Sequence, residues 1–237
     1  MTYNDFTFES LGEGIEICIS DEHRFGTDAF LLADFSSGRH KDICADLCTG
    51  SGIVALLLHK FYKPQKIYAV EIQEKAHEQL KVSLERSKID TIQPVLGDLN
   101  DWRSEKELDL ITCNPPYMIG QHGLTNPHMP KAIARHEILC TLEDVVSQAS
   151  KLLGDRGRFY MVHRPFRLTE IMQVLTKYKL EPKRMQLVYP YIDREPNMVL
   201  IEALKGGNSR ITVERPLIVY EKPGVYTKDI LEMYDMI

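Results

Sequence analysis

The sequence lacks several features that would place it in common protein classes. It has no hydrophobic run of the roughly 18 residues that a membrane helix needs, and no basic stretch followed by an apolar segment at its start. Its five cysteines form no Cys-x-x-Cys pair, and the histidines at 122, 128 and 136 match no common zinc spacing. We therefore expect a cytoplasmic protein with reduced thiols, no membrane association and no metal. The oligomeric state stays open, with a monomer favoured.

Positive charge is also scarce overall. The chain has 29 Lys and Arg against 34 Asp and Glu, a formal net charge of −5, which argues against charge-driven nucleic-acid binding of the histone type. Residues 151–190 are an exception, since they hold nine Lys or Arg and only three acids, a local charge of +6. This asymmetry favours a polyanionic partner, and a solvated basic face of an acidic protein is the alternative.

The pattern that is present predicts an α/β fold. Short apolar runs alternate with amphipathic stretches along the 237 residues, as in repeated strand–helix units. We predict a doubly wound, Rossmann-like sheet that is mostly parallel with a late antiparallel strand. The predicted strands are 43–47, 66–70, 92–96, 108–113, 157–162, 186–189 and 199–204, and the predicted helices are 53–61, 73–88, 141–153 and 168–178.

Three segments are predicted along the chain. Residues 1–40 would form an extension that packs on a main domain at 41–205, and residues 206–237 would add a strand and helix tail to that domain. Residues 118–136 show little periodicity and predict a long loop after the fourth strand of the main domain.

Polar residues follow consecutive predicted strands. A turn from Asp46 to Gly52 contains two glycines, which let a backbone approach a ligand closely, although a tight turn without a ligand explains this motif equally well. Glu71 ends the next strand and Asp98 follows the third. An acid at the first of these positions binds ribose hydroxyls in doubly wound sheets, and one at the second accepts from an adenine amine. Each acid alone suits a helix N-cap, but together they favour a nucleoside site.

The fourth strand leads into Asn114-Pro115-Pro116-Tyr117. The prolines restrict the backbone, so the Asn114 side chain is expected to be held in one orientation. Its amide oxygen and a carbonyl of the loop accept two hydrogen bonds from a planar NH2 group, which frees the nitrogen lone pair for attack. The Tyr117 ring offers a stacking surface for a planar base or amide.

These residues together resemble the class I S-adenosylmethionine-dependent amino-methyltransferases over about residues 25–205. Cys48 is a departure, since many members have glycine there. The resemblance implies S-adenosyl-L-methionine as the cofactor. It implies that the catalytic residues are Asn114, Pro115 and Tyr117, and that the cofactor is bound by Asp28, Asp46, Cys48, Thr49, Gly50, Gly52, Glu71, Ile72, Asp98, Leu99 and Asn114.

Further segments are similar to the bacterial tRNA adenine-N6 methyltransferases that act beside the anticodon of a valine tRNA. They are 24–33, 135–137 and 195–197. This similarity implies tRNA as the partner. The candidate contacts are Arg24, Lys131 and Arg135, together with Arg164, Arg167, Lys183 and Arg184 from the basic stretch. A glutamine methyltransferase of release factors and an rRNA or DNA amino-methyltransferase share the same chemistry and stay open. A catalytically inactive, cofactor-binding RNA chaperone is the alternative outside the enzymes.

Overall fold

The computed structural model describes residues 6–20, 25–115 and 140–234. Its strands are β1 (Thr7–Gly12), β2 (Ile15–Ile19), β3 (Ile43–Leu47), β4 (Lys66–Glu71), β5 (Ile92–Leu96), β6 (Leu108–Cys113), β7 (Leu153–His163), β8 (Leu180–Tyr189), β9 (Met198–Lys205), β10 (Thr212–Val213), β11 (Leu217–Ile218), β12 (Tyr220–Lys222) and β13 (Val225–Tyr226). Its α-helices are α1 (Thr27–Phe35), α2 (Ile53–Tyr62), α3 (Glu74–Ser87), α4 (Leu142–Leu152), α5 (Leu168–Lys177) and α6 (Lys228–Tyr234).

A nine-stranded sheet forms the centre, in the order β10-β8-β9-β7-β6-β3-β4-β5, with β11 also paired to β8. Strands β3 to β7 are mutually parallel, and β9 runs antiparallel between β7 and β8. The predicted doubly wound sheet with a late antiparallel strand is confirmed. Because β3 to β7 are parallel, the residues that follow them meet at one edge, which we call the carboxyl edge.

Helices cover both faces of the sheet. One apolar cluster joins α1, α2 and α3 to one face, and a second joins α4 and α5 to the other. Helix α4 begins as predicted: the hydroxyl of Thr141 accepts from the N–H of Asp144, whose carboxylate accepts from the N–H of Thr141. This reciprocal cap sets the direction in which the chain re-enters the sheet after β6.

Segments outside the sheet are tied to the helices of one face. The β1–β2 hairpin is anchored where the Cys18 N–H donates to Ser83 Oγ of α3 at 2.8 Å, and where Lys60 Nζ donates to the Leu11 carbonyl at 2.7 Å. The tail adds β10 and β11 to the edge of the sheet, and its β12, β13 and α6 lie outside it. The Tyr234 ring of α6 stacks on Phe30 of α1 with centroids 4.5 Å apart. The division into an extension, a main domain and a tail stays a prediction.

Among the described residues, no helix combines the length and hydrophobicity needed to cross a bilayer.

Candidate active site at the carboxyl edge

The turn after β3 takes a conformation that favours glycine. Cys48, Gly50 and Gly52 have φ values of 57°, 59° and 90°, all in the left-handed region. A Cβ on Gly52 would lie 2.4 Å from Leu80 Cδ1, whereas one on Gly50 would meet no atom within 4 Å. Gly52 thus allows α2 to pack on α3, and Gly50 leaves open space for a ligand. Cys48 takes the shape of the glycine that it replaces, at a strain of about 1–2 kcal/mol.

Asp46, near the end of β3, is hydrogen-bonded to the turn that follows that strand and to β6. Its carboxylate is 1% exposed and accepts from the hydroxyls of Thr49, at 2.5 Å, and Thr112, at 2.7 Å. Burial raises the pKa of Asp46 to about 7, against the lowering effect of both hydroxyls. The two hydrogen bonds join the turn to β6 and so keep β3 and β6 in register at the edge.

Glu71 holds the turn from the other side. Its buried carboxylate accepts from the N–H groups of Gly50 at 2.8 Å, Ile72 at 3.0 Å and Gln73 at 2.9 Å. A carboxylate offers about four acceptor positions, so these bonds engage most of its capacity on the protein itself. The sequence predicted that Glu71 ends its strand, but it did not predict these hydrogen bonds to the turn. Bonds to backbone N–H groups require no particular residue types and so leave no sequence motif.

Asn114 contacts a residue from outside the sheet. Its Nδ2 donates to Oδ2 of Asp28 at 3.1 Å, and Asp28 lies in the first turn of α1. The sequence distance between the two residues is 86 positions. The structure thus brings Asp28 to the amide, while Pro116 and Tyr117 lie outside the described residues.

Two adjoining cavities open at the edge, of about 210 and 200 Å³. Cys48, Gly50 and Asn114 line both of them. The first is also lined by Val70, Glu71, Ile72, Gln73, Gly97, Asp98, Leu99 and Cys140, and the second by Phe25, Gly26, Asp28, Ala29, Asp46, Thr49, Ser51, Ile53 and Val54. All of the predicted cofactor residues except Gly52 line one or both cavities, and Gly52 lies behind the turn.

The first cavity has the chemistry of a nucleoside site. Two carboxylates, Glu71 and Asp98, line this cavity, and Asp98 Oδ1 accepts from the Asn100 N–H at 2.8 Å. Ile72, 39% exposed, and Leu99 provide apolar walls for a planar base. Within the described part of the chain, no group of three or more His, Cys, Asp or Glu side chains is arranged to hold a metal.

The thiols at the edge are poor nucleophiles. Cys48 shares hydrogen bonds with the thiols of Cys113 and Cys140, and the bond to Cys113 together with burial raises the pKa of Cys48 well above its usual range. Burial likewise raises the pKa of Cys113. Thiolate is the reactive form, so covalent catalysis by these cysteines is disfavoured.

His163 ends β7 beside this site and is 1% exposed. Its Nδ1 accepts from the Arg164 N–H at 2.7 Å. Burial, followed by the charge of Arg167, lowers the pKa of His163 from 6.5 to about 4. The imidazole is therefore neutral at pH 7 and acts there as a hydrogen-bond acceptor for the turn after β7.

This lowered pKa predicts a pH-dependent stability. The unfolded chain binds the proton near pH 6.5 and the folded chain only near pH 4, so protonation favours unfolding in this window. We expect the His163 contribution to the free energy of unfolding to fall by about 1–3 kcal/mol between pH 6.5 and pH 4. Urea unfolding of the wild type and of His163→Gln across this range measures it as a change in their difference.

The wild type must be compared with His163→Gln because Asp46 changes the free energy of unfolding with pH in the opposite direction. Its raised pKa stabilises the folded state as the pH falls below about 7, in both proteins alike. Asn208→Ala, at an exposed position without a titratable side chain, is the control and should show no such pH-dependent difference. A stability difference between wild type and His163→Gln that stays constant with pH would contradict the prediction.

Four of the basic residues of 151–190 that were predicted to contact RNA have partners within the protein. Arg164 lies directly after β7, where its Nη1 donates to the Asn197 carbonyl at 3.0 Å, and Arg167 pairs with Glu170 at 2.5 Å. Lys183 and Arg184 lie within β8: Lys183 donates to the Asn208 carbonyl, and Arg184 pairs with Glu202 at 2.8 Å. Arg24, Lys131 and Arg135 lie outside the described residues.

Sequence comparison decides the family. The family model described as the methyltransferase small domain matches residues 21–180, which include the turn, Glu71, Asp98 and Asn114. The chain belongs to this methyltransferase family. It is an enzyme of the methyl-transferring class, and the cavities at its carboxyl edge are the candidate active site.

Curated relatives carry a more specific name. The chain is 30% identical over 184 residues to the tRNA1(Val) (adenine(37)-N6)-methyltransferase of Bacteroides thetaiotaomicron, covering 71% of this chain and 77% of the relative. It is 28% identical over 222 residues to the protein of the same name from Porphyromonas gingivalis, covering 89% and 86%.

Solved structures of other methyltransferases share the fold. A predicted O-methyltransferase from Agrobacterium tumefaciens aligns with a TM-score of 0.67 at 20% identity, covering 88% of this chain and 96% of that one. TYW2 from M. jannaschii, solved in complex with AdoMet, aligns with a TM-score of 0.58 at 15% identity, covering 86% and 87%. At these identities the likeness concerns the fold.

Proposed function

We propose that this methyltransferase uses S-adenosyl-L-methionine to methylate the exocyclic N6 amine of an adenosine in tRNA, beside the anticodon. The observation that carries the proposal is the position of Asn114, whose amide lies where the two cavities meet. The names of the relatives support tRNA adenine as the acceptor. Those names also favour it over glutamine of release factors, over rRNA or DNA, and over a non-catalytic chaperone.

The cavities fit the proposed cofactor. A nucleoside placed in the first cavity has the Glu71 carboxylate for its ribose, Asp98 for its base amine, and Ile72 and Leu99 as walls. Gly50 has no side chain to occupy the second cavity, which Asp46 and Thr49 also line. When bound, S-adenosylmethionine supplies an electrophilic methyl group.

The residues of the chain supply position. The Asn114 Oδ1 and the Pro115 carbonyl accept hydrogen bonds from the adenine amine, so its lone pair stays directed at the methyl group. Attack by the amine would form the nitrogen–methyl bond as the sulfur–methyl bond breaks, leaving the neutral thioether S-adenosylhomocysteine. The nitrogen would then carry the positive charge and release a proton to water, so no strong base is required. Holding the two reactants in near-attack geometry provides most of the rate enhancement. The adenine has to leave its stack to reach Asn114.

Mass spectrometry of tRNA nucleosides tests the proposal. N6-methyladenosine should be present in tRNA from the parent strain, absent after deletion of the gene, and restored by the wild-type gene. The purified enzyme should methylate unmodified valine tRNA and leave release factor unmodified. Methylation of release factor and not of tRNA would overturn the acceptor assignment and keep the methyltransferase.

Arg164 and Phe166 mark the side of the edge that we propose contacts RNA. Phe166, 72% exposed, lies between Arg164 and Arg167 in the turn after β7. Strand β7 pairs directly with β6, and Asn114 directly follows β6, so the turn after β7 is next to Asn114 along the edge on the side away from Glu71. An exposed ring beside a cation is the arrangement that binds an unstacked base next to a phosphate.

This placement predicts two separable effects on tRNA binding. Arg164→Gln should reduce the slope of log affinity against log salt by about one, because one phosphate contact is lost. Phe166→Ala should weaken binding about 5- to 100-fold with the slope unchanged, because stacking releases no counterions. Fluorescence anisotropy titrations from low to high salt measure both quantities.

Lys183→Gln is the matched control, since Lys183, like Arg164, donates to a backbone carbonyl but lies in β8, which β9 separates from β7. It should leave the affinity and the slope at the wild-type values. A reduced slope for Lys183→Gln with none for Arg164→Gln would move the RNA surface to β8.

A further inference from the structure

Asp28 and Asn114 form a contact that fixes which way the amide faces. A carboxylate accepts hydrogen bonds and donates none, so the atom of Asn114 that lies 3.1 Å from Asp28 Oδ2 is the donor Nδ2. The two polar atoms of an amide point in different directions from the same carbon. With Nδ2 held by Asp28, the Oδ1 atom of Asn114 is turned away from α1.

We propose that Asp28 is a positioning residue, which keeps Oδ1 of Asn114 toward the acceptor amine and affects methyl transfer only through Asn114. The proposal rests on the function proposed above. Without this contact the amide could rotate by half a turn and present its NH2 group to the acceptor, where two donors would face each other. The rotated amide cannot accept from the substrate, and its population lowers turnover.

The surroundings of Asp28 hold the carboxylate in place. The residues that follow it in α1, Ala29, Phe30 and Leu31, are at most 4% exposed, so the helix is fixed in the core. Thr27, just before it, hydrogen-bonds to the hydroxyl of Tyr234. The helix that carries Asp28 is thus tied down on both sides of this residue.

Gly26 gives the carboxylate its room. A Cβ at position 26 would lie 2.6 Å from Oδ1 of Asp28, which is closer than real Cβ contacts come. The φ angle of Gly26 is −108°, which any residue can adopt. Gly26→Ala therefore displaces the Asp28 carboxylate while it keeps the backbone and the charge, and this variant is a direct test of position.

Asp28 also lines the second cavity, so it has a rival role as a ligand of the cofactor itself. The two roles differ in what each variant changes. A cofactor ligand controls the affinity for S-adenosylhomocysteine. A positioning residue leaves that affinity alone and lowers kcat.

A double-mutant cycle tests the proposal. Asp28→Ala should lower kcat for tRNA about 10- to 100-fold, the usual loss when the partner that orients an active-site side chain is removed. The affinity for S-adenosylhomocysteine by calorimetry should stay within about threefold. In the Asn114→Ala background, Asp28→Ala should change kcat less than about twofold, because the amide that Asp28 orients is already absent.

Two further variants separate position from charge. Asp28→Asn keeps an oxygen that accepts from Asn114, so it should retain kcat within about fivefold of wild type. Gly26→Ala keeps the carboxylate and displaces it, so it should lower kcat in the direction of Asp28→Ala. The positioning role would be overturned if Asp28→Ala lowered kcat by the same factor in the Asn114→Ala background as in the wild type. It would also be overturned if Asp28→Ala lowered the cofactor affinity tenfold.

A readout without catalysis separates this proposal from the proposed function. In a nitrogen–proton NMR spectrum, the side-chain NH2 signal of Asn114 should shift on Asp28→Ala and on Gly26→Ala. An unchanged signal in both variants would overturn the contact. If the wild type failed to methylate tRNA, the proposed function would fall, and the NMR shifts would still decide whether Asp28 orients Asn114.

Discussion

Asn114→Ala is expected to reduce tRNA methylation by about 10²–10³ in kcat, the typical loss when one preorganised polar contact to a reacting group is removed. The amide lies at the junction of the two cavities and is held by Asp28, so it is both placed and oriented for the acceptor. Single-turnover methylation of unmodified tRNA, with cofactor in excess, measures the chemical step. Cofactor affinity should stay within a few-fold, since Glu71 and Asp98 are the residues proposed to bind the nucleoside.

Asn208→Ala provides the control for this substitution. Asn208 is exposed and lies in the turn after β9, away from the carboxyl edge. This variant should methylate tRNA at the wild-type rate. Near wild-type turnover by Asn114→Ala would remove the amide from the mechanism, whatever its effect on folding.

Glu71→Ala is expected to weaken binding of S-adenosylmethionine at least tenfold. Hydrogen bonds to a charged group contribute roughly 1.5–3 kcal/mol each, so the loss of one ribose contact is sufficient for this effect. The same substitution removes the acceptor for the N–H groups of Gly50, Ile72 and Gln73. The turn that lines both cavities is then unbraced, which should lower the free energy of unfolding of the ligand-free protein by about 1–3 kcal/mol.

Two ligands that differ in their ribose hydroxyls distinguish a direct contact of Glu71 with the ribose from its hydrogen bonds to the turn. Calorimetry with S-adenosylhomocysteine and with its 2′,3′-dideoxy analogue compares binding with and without the hydroxyls. If Glu71 binds them, Glu71→Ala should lower the affinity for the first ligand far more than for the second. An equal loss for both ligands would assign Glu71 to bracing alone. Glu74→Ala, at an exposed position in the first turn of α3, should leave both affinities unchanged.

The sequence predicted the edge well because strand ends carry local signals. Apolar runs followed by glycines, acids or prolines indicated where β3 to β6 stop, and a parallel sheet brings those stops together. The partner of Asn114 had no such signal. Asp28 was predicted as a cofactor residue from resemblance, and its contact with an amide 86 residues away depends on how α1 packs.

The charge of 151–190 was less informative than its sign suggested. Lys183 and Arg184 lie in β8 where its register with β9 shifts, and each is bound within the protein, Lys183 to the Asn208 carbonyl and Arg184 to Glu202. Arg184 also packs over the Phe35 ring at 4.0 Å. A net count along the chain records charges without recording which of them the fold has already neutralised.

The stacking of Tyr234 on Phe30 has a consequence for protein synthesis. A ribosome makes α1 some 200 residues before it makes α6, so Phe30 can pack on Phe61 of α2 early but gains Tyr234 only when almost the whole of the described chain has emerged. The β3–β4–β5 half of the sheet, with Glu71 and Asp98, contains only contacts that form much earlier. A nascent chain would accordingly pair the strands that carry Glu71 and precede Asp98 first. The contact of the helix at Lys228–Tyr234 with the helix that carries Asp28 would form last.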